Sequence, residues 1–460
     1  MEKMKTFLLV FTGCLLPVCL FAQTVSGKLI DEKHKPLPFG NLLNEINANC
    51  QNIFIMRKLL LLISCALTTI ALKAQTPSIE ALRTCADEKG MPPKEYIFKL
   101  FEKSDIVVLG ERDHRDTVQY DLIHDILADP RFAEQVGHVY TEVGSYNMND
   151  DVNRLLQGSY PTEAAFMDSL YAYYRKSEIF YPIWEKYNRV KFLKGIYEIN
   201  RTSPRKIKLG LTDREFSWDE IRTVEDYKKF WESRTVNYRD SLMAAHFAEM
   251  YARQAPLNGK RKALVITSQP HAINYSMILK KRNTVYGTQG WWMKKIFGTE
   301  KVRIVVLNWF DYNLFDGSNF PMTGEGHWDA AFERLECRPF AIDLKNTPYG
   351  ETAYNGLVGG TTTNVKNKSW QDVADGLIYY APLYDHVAAW GIEGLITKEF
   401  EPEIKRRLTI FFQATQPGAV IPMEAAIEEY NVFHTYPAAI KSKEEVKGII
   451  QKVLEKNIRQ

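Results

Sequence analysis

The chain has 460 residues, 45% of them hydrophobic and 25% charged, with a formal net charge of only +3. This is an ordinary globular composition, long enough for one large domain or two to three average ones. The near-neutral charge and the lack of a Lys/Arg block argue against nucleic acid as a partner.

The N-terminus carries an export pattern twice. Met1 to Lys5 is basic, Thr6 to Phe21 is mostly apolar, and Ala22-Gln23-Thr24 follows. Met56-Arg57-Lys58 is again basic, Leu59 to Leu72 is mainly apolar, and Ala74-Gln75-Thr76 follows. Both apolar cores are too short for a membrane span and read as signal peptides. Residues 25–39, between them, resemble the first strands of a carboxypeptidase-regulatory-like β-sandwich but stop short of one. Residues 1–55 therefore read as a spurious or remnant leader, with a genuine long leader as the alternative, and residues 56–74 as the signal peptide. The expected product is periplasmic or secreted. Leu62-Ile63-Ser64-Cys65 has the shape of a lipobox, so lipidation of Cys65 is the alternative, and the only expected route to a membrane. Beyond the leader only Cys85 and Cys337 remain, and sequence cannot say whether they pair.

From residue 75 onward short apolar runs alternate with helical patterns. Helices are expected at Ser78–Cys85 and Lys94–Lys103. The first strand is Ile106–Leu109. Val118, Leu122, Ile123, Ile126 and Leu127 recur at helical spacing within Asp116–Ala128. Further strands are expected at Gly137–Glu142, Lys206–Leu211, Lys262–Thr267, Val302–Leu307, Pro339–Asp343 and Gly376–Tyr380. Helical patterns fill Asn149–Gln157, the aromatic stretch 160–200, and Asp226–Arg253. Residues 395–460 read as a helical C-terminal extension. The strands are nearly all apolar, as strands covered on both faces are. The expectation is a single α/β domain over 75–460. It has a mostly parallel central sheet flanked by helices, a helical insertion and a helical C-terminal cap.

In a parallel sheet the C-terminal strand ends lie along one edge, where loops distant in sequence converge. Glu111, His114, Glu142, Asp213 and His271 all follow predicted strands. Gly110-Glu111 and His114 after a buried strand suit a general base with its orienting partner, or the start of a metal site. There is no Gly-x-Ser-x-Gly elbow, no His-Glu-x-x-His helix, no phosphate cradle and no dinucleotide fingerprint. Neither remaining cysteine has a CxxC neighbour. No cofactor is expected. His124 and His138 read as packed or surface residues; His327 and His386 lie in aromatic loops and are not singled out.

Gly110-Glu111-x-x-His114, with Tyr140-Thr141-Glu142, Arg239-Asp240-Ser241-Leu242-Met243-Ala244 and Val265-Ile266-Thr267-Ser268-Gln269-Pro270-His271, resembles the motif order of the erythromycin esterase-like family. That family shares a superfamily with ChaN-like haem-binding lipoproteins. The resemblance spans roughly residues 104 to 310. The sequence departs from it at Arg115, where the family has a small residue, and at Ser268 and Gln269, where it has histidine and asparagine. The resemblance implies a metal-independent hydrolase. His114 would activate water, Glu111 or Glu142 would hold its tautomer, and Arg239 and His271 would serve the oxyanion. Asp213, Ser268, Tyr181 and Trp184 are the expected substrate contacts, the last two from an aromatic stretch suited to an amphipathic small molecule. The same resemblance leaves a haem or small-ligand binder, or a catalytically silent member, as alternatives.

Overall fold

In a computed structural model the chain divides into two compact units, Met1–Lys73 and Ala74–Gln460. The structure describes residues 76–177, 187–232, 239–279, 284–308, 322–354, 356, 368–418, 420, 422–437 and 442–458, all within the second unit. The leader, Cys65, Tyr181 and Trp184 lie outside the described residues. Among those described, no helix is long and apolar enough to cross a membrane.

The strands in chain order are β1 (Ile106–Glu111), β2 (His138–Ser145), β3 (Lys208–Asp213), β4 (Ala263–Ser268), β5 (Ser276–Leu279), β6 (Thr284–Gly287), β7 (Val302–Leu307), β8 (Phe340–Asp343), β9 (Gly376–Tyr379), β10 (Val387–Trp390) and β11 (His434–Pro437). Seven of them form one sheet in the order β3-β2-β4-β1-β7-β9-β8. All neighbours pair in parallel except β8, which runs antiparallel to β9. This is the expected α/β architecture, with β1 at the centre.

Alternation along each strand explains the layering. Ile106, Val108, Val265, Ile304 and Val306 pack into one apolar core, together with residues of helices Ile79–Lys89, Arg239–Arg253, Gln289–Phe297 and His327–Arg334. Val107, Leu109, Leu264, Ile266, Val305 and Leu307 face the other core, with helices Pro93–Lys103, Val118–Ala128, Asn149–Gln157, Glu163–Ser177 and Tyr187–Thr202. Both faces of β1 are thus closed, and its polar residues can emerge only at the C-terminal end.

The described residues of the stretch 226–253 are helical, as Val224–Glu232 and Arg239–Arg253. One element differs from the expectation. The C-terminal extension has helices Glu401–Thr415, Met423–Asn431 and Lys443–Ile458. It also contains β11, which pairs antiparallel with β10. The four residues of β11, His434-Thr435-Tyr436-Pro437, are not an apolar run, so sequence periodicity does not mark them as a strand. Cys85 and Cys337 are free thiols.

One buried carboxyl, on helix His327–Arg334, marks a stability switch. Asp329 lies in the core and accepts a hydrogen bond from the Tyr379 hydroxyl. Burial pushes its pKa from an ordinary 3.8 up to about 7, against the Tyr379 hydrogen bond. A carboxyl that binds its proton more tightly folded than unfolded stabilises the fold at low pH, and that stabilisation is lost as pH rises from 3.8 to about 7. Asp329→Asn is therefore expected to raise unfolding stability more at pH 8 than at pH 5, by about 1–3 kcal/mol. Urea denaturation at the two pH values reads this directly.

Candidate active site

β1, β4 and β2 deliver three side chains to one point. Glu111 is the last residue of β1, and Glu142 lies within β2, which sits on the far side of β4. His114 bridges them. Its Nδ1 is 2.6 Å from Glu111 Oε1, and its Nε2 is 2.8 Å from Glu142 Oε1. Each carboxylate is fixed by its second oxygen. Tyr120 donates to Glu111 Oε2 at 2.9 Å, and Thr267 of β4 donates to Glu142 Oε2 at 2.7 Å. The loop is held from behind, because Asn188 donates to the His114 carbonyl at 2.7 Å and Gln119 donates to the Asp113 carbonyl at 2.8 Å.

A second cluster adjoins the first. Arg239, at the start of its helix, donates to both oxygens of Asp213 from Nε and Nη2, at 3.0 and 2.9 Å. This fork geometry is the one guanidinium favours with carboxylate. Arg239 Nη1 donates to His271 Nε2 at 3.0 Å, which places the ring proton on Nδ1, 2.7 Å from Asp240 Oδ1. Asp240 in turn accepts from the backbone N–H of Gln289 at 2.9 Å, at the first turn of helix Gln289–Phe297. A carboxylate is well placed there against the helix dipole.

Two glycines let the clusters meet. A Cβ on Gly110 would lie 3.1 Å from Ala272 Cβ, so its absence lets the turn bearing His271 settle onto β1. A Cβ on Gly290 would lie 1.8 Å from the Ala272 carbonyl oxygen, so helix Gln289–Phe297 also needs a glycine to close on that turn.

The electrostatics couple the clusters. Burial alone would raise the Glu142 pKa, but His271, His114 and Arg239 outweigh it and hold the carboxyl well below the ordinary range. Burial pushes His271 down, yet Asp240 and Glu142 raise it above its ordinary value, against Arg239. Burial also opposes the Arg239 charge, and Asp213 and Glu142 more than restore it. The side chains of Glu111, Glu142 and Asp213 are fully buried, whereas those of His114, Arg239 and His271 keep 10%, 11% and 14% of their surface exposed. The three bases therefore form the reachable face, and the carboxylates lie behind them.

Of the residues anticipated from sequence, Glu111, His114 and Glu142 meet in one cluster, and Asp213, Arg239 and His271 in another. Ser268 is the register partner of Glu111 at the end of β4 and is half-buried. Asp213 spends both oxygens on Arg239 and faces no solvent. Sequence reading missed Asp240 as the partner of His271, although it stands in the quoted Arg239-Asp240 motif. It also missed Tyr120 and Thr267, ordinary residues of a helix and a strand that nothing local marks. Oxygen or nitrogen atoms of Glu111, His114 and Glu142 all lie within 4.8 Å of one another, so the three can converge on a cation as well as on a proton. From the aromatic stretch, Met167, Tyr171 and Tyr187 line a separate groove of about 730 Å³ with Val190 and Phe433; it contains none of the clustered residues.

No family model matches the sequence, and no curated protein does. Similar solved structures include an erythromycin esterase mutant, EreC, in its open conformation (9% identity, TM-score 0.42, covering 62% of this chain and 92% of that one). A succinoglycan biosynthesis protein aligns at 11% identity and TM-score 0.39, over 66% of this chain and 96% of that one. ChaN of Campylobacter jejuni with cofacially bound heme aligns at 12% or less identity, namely 11%, and TM-score 0.31, over 50% of this chain and 91% of that one. At these values the likenesses carry no functional argument, which rests on the side chains themselves.

The Arg239–Asp213 pair tests the reading of the second cluster. Arg239→Met leaves Asp213 buried without its fork partner and is expected to cost about 3–5 kcal/mol of stability. Adding Asp213→Asn removes the stranded charge and is expected to recover much of that loss in urea denaturation.

Proposed function

We propose that the chain is a hydrolase that uses water to cleave an ester or related acyl bond of an amphipathic small molecule. The observation that carries this reading is His114 held between two buried carboxylates beside Arg239. An imidazole within ion-pair distance of two ionised carboxylates is favoured there when each ring nitrogen carries a proton. Glu111, His114 and Glu142 then bear two negative charges and one positive, a net charge of −1. As the hydroxide adds to the carbonyl carbon, the proton taken from water ends on one of the two carboxylates, because the imidazolium has no lone pair, and the unit becomes neutral. It returns the proton to the leaving alkoxide as the acyl bond breaks, and the −1 state is restored.

Arg239 faces the oxyanion that develops at the carbonyl oxygen. Low-dielectric electrostatic stabilisation of this kind is often the largest single contribution to acyl transfer. His271, whose Nε2 lone pair accepts from Arg239 Nη1, holds that guanidinium in place. Asp213 and Asp240 hold these two bases in place, and Ser268 lies where the substrate would enter. A haem ligand is not favoured, because a haem site needs a large apolar cleft around its axial ligand, and this edge is lined by charge. The export pattern at the N-terminus supports action outside the cytoplasm.

The 4.8 Å convergence of Glu111, His114 and Glu142 favours one second reading, in which the same three side chains hold a divalent cation. One set of assays separates the two. Under the first reading, the protein hydrolyses p-nitrophenyl acetate or butyrate and keeps its rate after dialysis against EDTA. His114→Ala and Glu142→Gln each lower kcat about 10²–10⁴-fold, the range of acid–base contributions. Loss of rate on chelation, restored by zinc or manganese, selects the metal reading. Wild-type-like turnover in both variants rules out either chemistry at this cluster.

A further inference from the structure

Behind the His114 loop lies a third buried cluster that the proposed chemistry does not use. Arg112 immediately follows Glu111, yet its side chain turns away from the site into the interior and is 2% exposed. Its Nε is 2.8 Å from Asp116 Oδ2, and its Nη1 is 3.2 Å from Asn308 Oδ1 and 2.9 Å from His386 Nε2. His386 Nδ1 is 3.3 Å from the same Asp116 oxygen. The three side chains thus close a ring, and Asp116 and His386 are also buried.

The ring has one consistent protonation pattern. A guanidinium only donates, so His386 Nε2 must present its lone pair to Arg112. The Ala381 carbonyl, 3.3 Å from Nε2, competes for a proton there but is farther away than Arg112. The single ring proton then sits on Nδ1, 3.3 Å from Asp116 Oδ2. Burial and the Arg112 charge both disfavour the imidazolium, in keeping with a neutral ring.

The ring ties His114 to parts of the chain remote from it. Asn308 follows β7 and accepts from the Tyr380 N–H beyond β9 at 3.2 Å. His386 directly precedes β10. The β10 backbone grips the loop on both sides of Asp116: Thr117 N–H donates to the Val387 carbonyl at 2.8 Å, and Ala389 N–H donates to the Arg115 carbonyl at 2.8 Å. Five consecutive loop residues, Arg112 to Asp116, therefore run from Glu111 to a clamp made by the C-terminal part of the chain, with His114 in the middle.

We propose that His386 is a positioning residue. As a neutral Nδ1–H tautomer it locks Arg112 to Asp116, and so holds His114 in register between Glu111 and Glu142. This deepens the hydrolase reading and rests on it for its kinetic consequence. Loss of the lock frees the loop without touching substrate, so kcat falls while KM stays near its original value. Supporting residues of this kind typically contribute about 10–100-fold.

The test uses the full chain with ¹⁵N-histidine labelling. In the wild type, His386 is expected to show a protonated Nδ1 and an unprotonated Nε2. His386→Leu is expected to move the His114 ring ¹⁵N signals and to lower kcat for p-nitrophenyl acetate about 10–100-fold with KM little changed. His386→Gln, whose amide can both accept from Arg112 and donate to Asp116, is expected to restore both. A proton on Nε2 of His386, or unchanged His114 signals in a folded His386→Leu, overturns the proposal. If the wild type turns over no ester, the hydrolase reading falls, and the two NMR measurements still decide the lock. If His386→Leu does not fold, the tautomer and the rescue by His386→Gln decide it.

Discussion

An imidazole gripped by two buried carboxylates, each on a different strand, is the constraint around which this edge of the molecule is organised. Glu111 ends β1 and Glu142 lies in β2, and β4 runs between them. The 2.6 and 2.8 Å contacts of His114 therefore span a whole intervening strand. That is possible only because the three strands are parallel and in register. Ile266 of β4 pairs with Leu109 on one side and Thr141 on the other, so Glu142 follows at the level of Thr267, and Glu111 comes one residue further on, opposite Ser268. A shift of one residue would turn every side chain of a strand to the opposite face. The apolar alternation that fills both cores thus also sets the geometry of the polar edge.

Concentrating this much charge in a buried place is costly unless each group is paired and hydrogen-bonded. The molecule meets that condition by nesting ion pairs. Glu111 and Glu142 share His114, Asp213 takes Arg239 through two hydrogen bonds, Asp240 takes His271, and Asp116 takes Arg112. In the first two clusters the carboxylates are the inner layer and the bases face outward, whereas Arg112 and Asp116 are equally buried. A site built this way presents protons and positive charge to a ligand and keeps the negative charge behind. That is what the proposed attack on a carbonyl requires, because the developing charge there is negative.

Much of this was legible in the sequence, and the reason is periodicity. The strands of the central sheet are mostly apolar, and Glu111, His114, Asp213, Ser268 and His271 end or follow one of them, whereas Glu142 lies within β2 and Arg239 starts a helix. Parallel strands make position in sequence a guide to position in space. The pairing of β10 with β11 was invisible because β11 is not an apolar run, and with it the clamp on the His114 loop. Asp240 and His386 were missed for a different reason. Their roles depend on which side chain lies opposite in the fold, 31 residues away for Asp240 and 274 for His386 from Arg112. Asp213 was read as a substrate contact because it follows a strand, whereas its burial and its two hydrogen bonds to Arg239 make it an anchor.

The central claim concerns the protons on one ring. A ¹⁵N measurement of His114 at neutral pH tests it most directly. If two carboxylates hold the ring, both nitrogens carry protons in the wild type, and Glu142→Gln loses the one on Nε2. A wild-type His114 with a bare, unprotonated Nε2 would contradict the account, since the imidazolium held between two ionised carboxylates would then not exist.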